Sequence, residues 1–124
     1  MTARVLVVED ESLVAMVLED CLEALGYEVA ASVANVDAAL AVVKAGGLDL
    51  AVLDVNLAGS ASYPVAEALD AQGVPYIFIT GYGQAAIAEK FRHRYGLQKP
   101  FRMRDLQGAL ATAQTGAGHP RDAG

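Results

Sequence analysis

Four stretches of this sequence carry side chains whose types and spacing could do chemistry: the acidic run Glu9-Asp10-Glu11, then Asp54, then Thr80-Gly81, then Lys99-Pro100-Phe101. Several carboxylates brought to one place repel one another, by on the order of 4 kcal/mol per pair at ~4 Å and an effective dielectric of ~20. Protonation, a hard divalent cation or the Lys99 ammonium must offset that repulsion. Mg²⁺ suits the inventory, because it takes one or two carboxylates, keeps several waters and shares phosphate oxygens. An Asp carboxylate beside such a cation can attack phosphorus and form an acyl phosphate. That reaction needs positioning and charge neutralisation more than acid–base help. Lys99 would neutralise phosphoryl oxygens, the Thr80 hydroxyl would hydrogen-bond one of them, and Gly81 would leave space beside it.

These residues can meet only if the chain brings them together, and its patterning says how. Short β-rich runs alternate with longer helix-periodic runs, the signature of an α/β domain with a parallel sheet. Val5-Leu6-Val7-Val8 is apolar on both faces, as a central parallel strand is. A helix follows with Val14, Val17, Leu18, Cys21, Leu22 and Leu25 on one stripe, stopped by Gly26. A second strand runs from about Tyr27 to Val33. The next helix starts near Val36, turns Ala39, Leu40 and Val43 inward and ends at Gly46-Gly47. Leu50 to Leu53 forms a third strand, ended by Asp54, and a small-residue loop (Ala58 to Ala61) follows. A short helix carries Val65, Ala66 and Leu69 and ends at Gly73; Pro75 to Ile79 is the fourth strand. Ile87 and Phe91, at i, i+4 spacing, anchor a short fourth helix. Tyr95 to Gln98 is the fifth strand, and Met103, Leu106, Leu110 and Ala113 line a final helix. Thr115 to Gly124 is Gly-, Pro- and Ala-rich without periodicity, so a mobile tail is expected there.

Five such units imply an open doubly wound sheet with right-handed crossovers and helices on both faces. Ligands of these sheets sit outside the carboxyl ends of the strands. The residues just past those ends are the acidic run, Asp54, Thr80 and Lys99, so they should cluster.

Composition narrows the function classes. With 124 residues, 54 % apolar and 19 % charged, the chain can bury a real core. No apolar run approaches the ~20 residues a membrane span needs, and the start has no signal-peptide layout. The single Cys21 excludes an internal disulfide and fits a reducing, cytoplasmic setting. A net charge of −6 argues against direct binding to nucleic acid. The charge is uneven: 13 acidic and 2 basic residues lie between Met1 and Glu89, whereas Lys90 to Arg104 holds 6 basic residues and none acidic. That segment reads either as a solvated basic face or as a docking surface for an acidic protein partner. His93 and His119 lack ligand-like spacing, and Cys21 reads as helix core.

The set Val7-Val8-Glu9-Asp10-Glu11, Leu53-Asp54, Ile79-Thr80-Gly81 and Lys99-Pro100-Phe101, in this order and with 44 residues from Asp10 to Asp54, resembles the receiver domain of bacterial two-component response regulators. The resemblance runs from about Arg4 to Ala113, giving a receiver over residues 1–114 and a tail over 115–124. It implies a flavodoxin-like five-stranded parallel sheet of order 2-1-3-4-5. It further implies Asp54 as phosphoacceptor, Asp10 as a direct Mg²⁺ ligand with Glu9 acting through a metal-bound water, and the Asn56 backbone carbonyl as another ligand. The Asn56 side chain would tune hydrolysis of the acyl phosphate. Lys99 would pair with the phosphoryl group, Thr80 would move toward it, and the Lys99–Pro100 peptide would be cis. Glu11 reads as structural or solvated. The phosphate would come from a histidine kinase or a histidine phosphotransfer protein.

The departures from the pattern carry their own expectations. The intervals from Asp54 to Thr80 (26 residues) and Thr80 to Lys99 (19 residues) are short, so the third and fourth helices should be truncated or shifted. The aromatic that many receivers carry three residues before the lysine is Gly96 here, which leaves Tyr82 or Tyr95 for the switch role. Phe78-Ile79-Thr80-Gly81-Tyr82-Gly83 also resembles the motif of a stand-alone receiver subfamily in alphaproteobacterial stress signalling. The expected role is a phosphoacceptor protein, not an enzyme on other substrates, that switches a protein–protein interaction or drains phosphate from a relay. The alternative is a pseudo-receiver, a binding module that works without phosphorylation. A flavin- or phosphate-ester-handling domain fits less well, because no glycine-rich dinucleotide loop is present and Asn56 stands where a phosphatase needs a second acid.

Overall fold

The computed structural model describes residues 2–81, 87–91 and 96–115. Tyr82, His93, Tyr95, Arg92, Arg94 and the segment 116–124 lie outside the described residues, so the expectations for Tyr82, Tyr95, the middle of the basic stretch and the tail fall there.

Strand β1 (Arg4–Val8) is followed by α1 (Ser12–Ala24), β2 (Glu28–Val33), α2 (Val36–Ala45) and β3 (Leu50–Asp54). A two-stranded hairpin, β4 (Asn56–Leu57) and β5 (Ser60–Ala61), leads to α3 (Tyr63–Gln72) and β6 (Tyr76–Thr80). A 3-10 turn at Glu89–Phe91, β7 (Gly96–Gln98) and α4 (Met103–Gln114) complete the order. The main sheet has five strands in the order β2-β1-β3-β6-β7, every pair parallel. Counted along the main-sheet strands alone, this is the expected 2-1-3-4-5.

Alternation along the strands explains why both faces need cover. Val5, Val7, Leu50, Val52, Ile77 and Ile79 face one way and pack with Leu18 and Leu22 of α1 and Leu106 and Leu110 of α4. Leu6, Val8, Ala51, Leu53 and Phe78 face the other way and pack with Val43 of α2, Val65 and Leu69 of α3, and Ile87 and Phe91. β3 and β6 are buried throughout, so the strands that end in Asp54 and Thr80 are held from both sides.

The helix ends follow local chemistry. Gly26, at φ 92°, closes α1: its N–H reaches Glu23 O at 3.1 Å while Tyr27 N–H reaches Leu22 O at 2.9 Å. Asn35 caps α2 by accepting the Ala38 N–H at 2.8 Å. The Asp105 carboxylate accepts the Arg102 N–H at 3.3 Å and opens α4.

Three expectations are corrected. Val17 is 52 % exposed and Met103 44 % exposed, so neither lies on an inner stripe. The inner face of α1 is Ala15, Leu18 and Leu22 with Val14, Cys21 and Leu25 packed at its margin, so of the expected stripe only Val17 turns away. The Ala58–Ala61 stretch is no open loop but the turn and return strand of the β4–β5 hairpin. Ile87 and Phe91 are buried as anchors, but the backbone described there makes a single 3-10 turn rather than an α-helix. Tyr63 holds that segment: its ring stacks on Phe91 at 4.9 Å, and its hydroxyl accepts the Ala88 N–H at 2.7 Å.

Phe78 sits at the centre of this second layer, fully buried, with edge-to-face contacts to Tyr63, Tyr76 and Phe91. Phe78→Ala should therefore lower the unfolding free energy by about 3–5 kcal/mol, measured by urea denaturation.

Candidate functional site

The carboxyl edge of the main sheet gathers the polar residues. Glu9 directly follows β1 and is held beside the sheet end by its N–H, which donates to Val33 O at 3.0 Å, before the chain bends at Asp10. Asp54 is the last residue of β3 and Thr80 the last of β6. The Lys99 N–H donates to Thr80 O at 2.8 Å, which sets Lys99 beside these strand ends, and the Lys99–Pro100 peptide is cis.

Lys99 is the hub. Its Nζ lies 2.9 Å from Glu9 Oε1, 3.0 Å from Asp54 Oδ2 and 3.4 Å from Glu11 Oε1. Glu9 and Asp54 are only 2 % and 6 % exposed, so both carboxylates have lost most of their water. Each is partly repaid by the backbone. Glu9 Oε2 accepts the Glu11 N–H at 3.0 Å, and Asp54 Oδ1 accepts the Asn56 N–H at 3.2 Å. Glu9 Oε1 is an exception: the ammonium is close, yet no donor is aligned on it as a hydrogen bond.

Burial, the largest effect, pushes the Glu9 carboxyl up to about 7 from 4.5; Asp54 adds to the rise, while Lys99 and the Glu11 N–H oppose it. Burial alone would lower the Lys99 ammonium, but the close Glu9 and Asp54 carboxylates outweigh it and raise it. Lys99 is therefore a fixed positive charge across the ordinary pH range.

Above the cluster opens a cleft of about 600 Å³, lined by Asp10, Glu11, Asp54, Val55, Asn56, Ala58, Thr80, Gly81 and Lys99. Asp54, Thr80 and Lys99 thus meet at one site, with Asn56 and Asp10 at its walls. Carboxylate oxygens of Glu9, Glu11 and Asp54 lie within 4.8 Å of one another, close enough to share a cation. The Asp10 carboxylate is outside this tight group although Asp10 lines the cleft. Magnesium fits the donor set: it wants oxygen ligands and retains water, and Glu9 Oε1 is a buried acceptor with no aligned donor.

Two participants carried little sequence signal. Glu11 is exposed, and only its place in an acidic run hinted at the site. Ala58 holds φ 52°, a left-handed backbone that is uncommon for any residue except glycine. Nothing in its residue type announces that. Of the basic stretch, Lys90 pairs with Glu67, Arg102 with Asp105, and Lys99 turns inward, so these described members already have acidic partners within the chain.

A parallel sheet of this order, with an acid–lysine cluster at its carboxyl edge, defines a class. Residues 5–111 match the response regulator receiver domain, and the chain belongs to that family. It is similar to SdrG from Sphingomonas melonis Fr1, with 48 % identity, coverage of 90 % of this chain and 96 % of that one, and a TM-score of 0.83. SdrG in its BeF3-activated conformation shows 47 % identity, coverage of 92 % and 99 %, and a TM-score of 0.79. The receiver domain of PhyR from Erythrobacter litoralis shows 31 % identity, coverage of 92 % and 91 %, and a TM-score of 0.82. These relatives are the stand-alone and PhyR-like receivers of alphaproteobacteria to which the Phe78–Gly83 motif pointed. The transcriptional regulatory protein PdtaR of Mycobacterium tuberculosis is 28 % identical over 114 residues, 89 % of this chain. The chain spans about half, 56 %, of that curated relative. No helix among the described residues is long and apolar enough to cross a membrane.

The raised Glu9 carboxyl sets a pH dependence. The folded state keeps a proton up to about pH 7 that the unfolded chain releases near 4.5, so stability is full below 4.5 and falls as pH rises toward 7. Urea titrations in Mg²⁺-free buffer should show that decline, by no more than about 1.4 kcal/mol per pH unit for one proton. Glu9→Gln should flatten it.

Proposed function

We propose that this chain is a phosphorylation switch in which Asp54 accepts a phosphoryl group from a phosphohistidine, on a histidine kinase or a histidine phosphotransfer protein. The observation that carries this reading is the Lys99 Nζ held 3.0 Å from Asp54 Oδ2 at the floor of an open acidic cleft. A carboxylate oxygen of Asp54 forms the new bond to phosphorus, and the bond from phosphorus to the imidazole nitrogen breaks with its electron pair left on the imidazole. Lys99 stands ready to balance charge on the phosphoryl oxygens. Thr80, at the end of the neighbouring strand, lines the same cleft and offers a hydroxyl to one of them. Mg²⁺, held by Asp54, Glu9 and Glu11 or Asp10 and by the Asn56 carbonyl, would supply further neutralisation of the phosphoryl oxygens.

SdrG, nearly half identical, has a BeF3-activated conformation, and beryllofluoride is a tetrahedral stand-in for a phosphoryl group on a carboxylate. This supports the same acceptor chemistry in the present chain. In this reading the donor would rest on the apolar groove beside the cleft that Leu13, Val14 and Val17 of α1 line with Lys99, Pro100 and Phe101. The output is a protein–protein interaction or a phosphate sink. In this role the chain catalyses only its own phosphorylation and dephosphorylation.

Incubation with acetyl phosphate, read by intact-protein mass, tests the chemistry. The native protein should gain ~80 Da, one phosphoryl group, only when Mg²⁺ is present, and Asp54→Asn should gain nothing. A native protein that gains no mass, together with equal partner binding by the native and Asp54→Asn proteins, would instead make it a pseudo-receiver.

A further inference from the structure

Ala58 combines two properties that are hard to reconcile with a passive turn. It holds φ 52° in the β4–β5 hairpin, with Gly59 beside it at φ 93°. Two successive residues at positive φ form the type of turn that two-residue hairpins prefer, and glycine or asparagine would occupy the first position at less cost. An alanine there keeps its methyl group against a backbone preference. The same residue lines the cleft over Asp54. Of the lining residues with apolar side chains, Val55 is buried and Ala58 is exposed, so Ala58 is the apolar group at the mouth. The hairpin that carries it is braced at both ends. Asn56 Oδ1 accepts the Gly59 N–H at 2.9 Å, and the Ser62 N–H donates to Val55 O at 2.9 Å.

Backbone strain that persists beside a reactive group points to a role in that reaction. We infer that Ala58 is a positioning residue that sets the lifetime of the acyl phosphate, its methyl group narrowing the approach of water to phosphorus. This rests on the reading of Asp54 as phosphoacceptor. In the step it restrains, a water oxygen forms the new bond to phosphorus. The bond between phosphorus and the Asp54 oxygen breaks, the electron pair stays on the carboxylate, and the water proton leaves with inorganic phosphate or to solvent. Glycine would remove the methyl and relax the turn together. Asparagine tolerates the left-handed backbone and retains a side chain over the mouth.

The test is the decay of the phosphorylated protein after rapid removal of acetyl phosphate, followed by intact mass, for native, Ala58→Gly and Ala58→Asn proteins, with thermal unfolding of each. Ala58→Gly should shorten the half-life at least about threefold while its unfolding midpoint stays level or rises, the opposite of what a purely structural lesion would do. Ala58→Asn should keep a half-life no shorter than native. Equal half-lives for native and Ala58→Gly overturn the inference, as does an Ala58→Asn protein that decays as fast as Ala58→Gly. No mass gain on the native protein would overturn the acceptor reading itself, and with it this proposal, whereas equal decay rates would leave the acceptor reading standing.

Discussion

One ammonium group holds the working edge of this protein together. Lys99 Nζ reaches Glu9, Asp54 and Glu11 within 3.4 Å, and without it two carboxylates with almost no access to water would face each other across the end of the sheet. Like charges at that range cost on the order of 4 kcal/mol per pair, a large share of a small domain's stability. The ammonium offsets much of this, yet it leaves three acids for one base and a Glu9 oxygen with no aligned donor. Such an edge is incompletely neutralised by construction. It is suited to take up a cation, and an incoming phosphoryl group in turn finds Lys99 already in place.

The sheet is what makes so costly a cluster tolerable. β3 and β6 are buried along their whole lengths, and each delivers one polar residue at its last position. The apolar layers on both faces supply stability away from the edge, so that the edge itself can stay strained and polar. Lys99 arrives from β7, whose three paired residues are enough to place it because its N–H bonds to Thr80 O. That backbone bond links the proposed phosphate-sensing hydroxyl to the neutralising ammonium through neighbouring strand ends.

Around this edge the second layer is aromatic. Tyr63, at the start of α3, stacks on Phe91 and accepts the Ala88 N–H, while its ring meets Phe78 of β6 edge-on. The hairpin after Asp54 runs directly into Tyr63 through Ser62. Contacts from the Asp54 edge thus run to Ala88 and Phe91 along two paths: along β6 through Phe78, and through the hairpin and Tyr63. Packed aromatic contacts of this kind favour discrete arrangements over gradual deformation.

The sequence by itself determined the layout of the molecule. Runs such as Val5 to Val8 and Leu50 to Leu53 are apolar at every position, which only strands covered on both faces satisfy, and the helical periods between them require crossovers. From that follows the meeting of Asp54, Thr80 and Lys99 at one edge, while the strand order came from the resemblance to receiver domains. Periodicity was less able to say how wide each buried stripe is, so Val17 and Met103 turned out exposed: a helix row is buried by what faces it, which lies elsewhere in the chain. Residue type was equally silent on Glu11, whose carboxylate enters the site only because Lys99 folds toward it from 88 positions away. The left-handed backbone of Ala58 was illegible for the same reason. Local preference disfavours it, and only closure of the hairpin against the end of β3 imposes it. Burial, ion pairing across distant strands and enforced backbone conformation belong to the tertiary structure, because each depends on neighbours that the chain acquires only by folding.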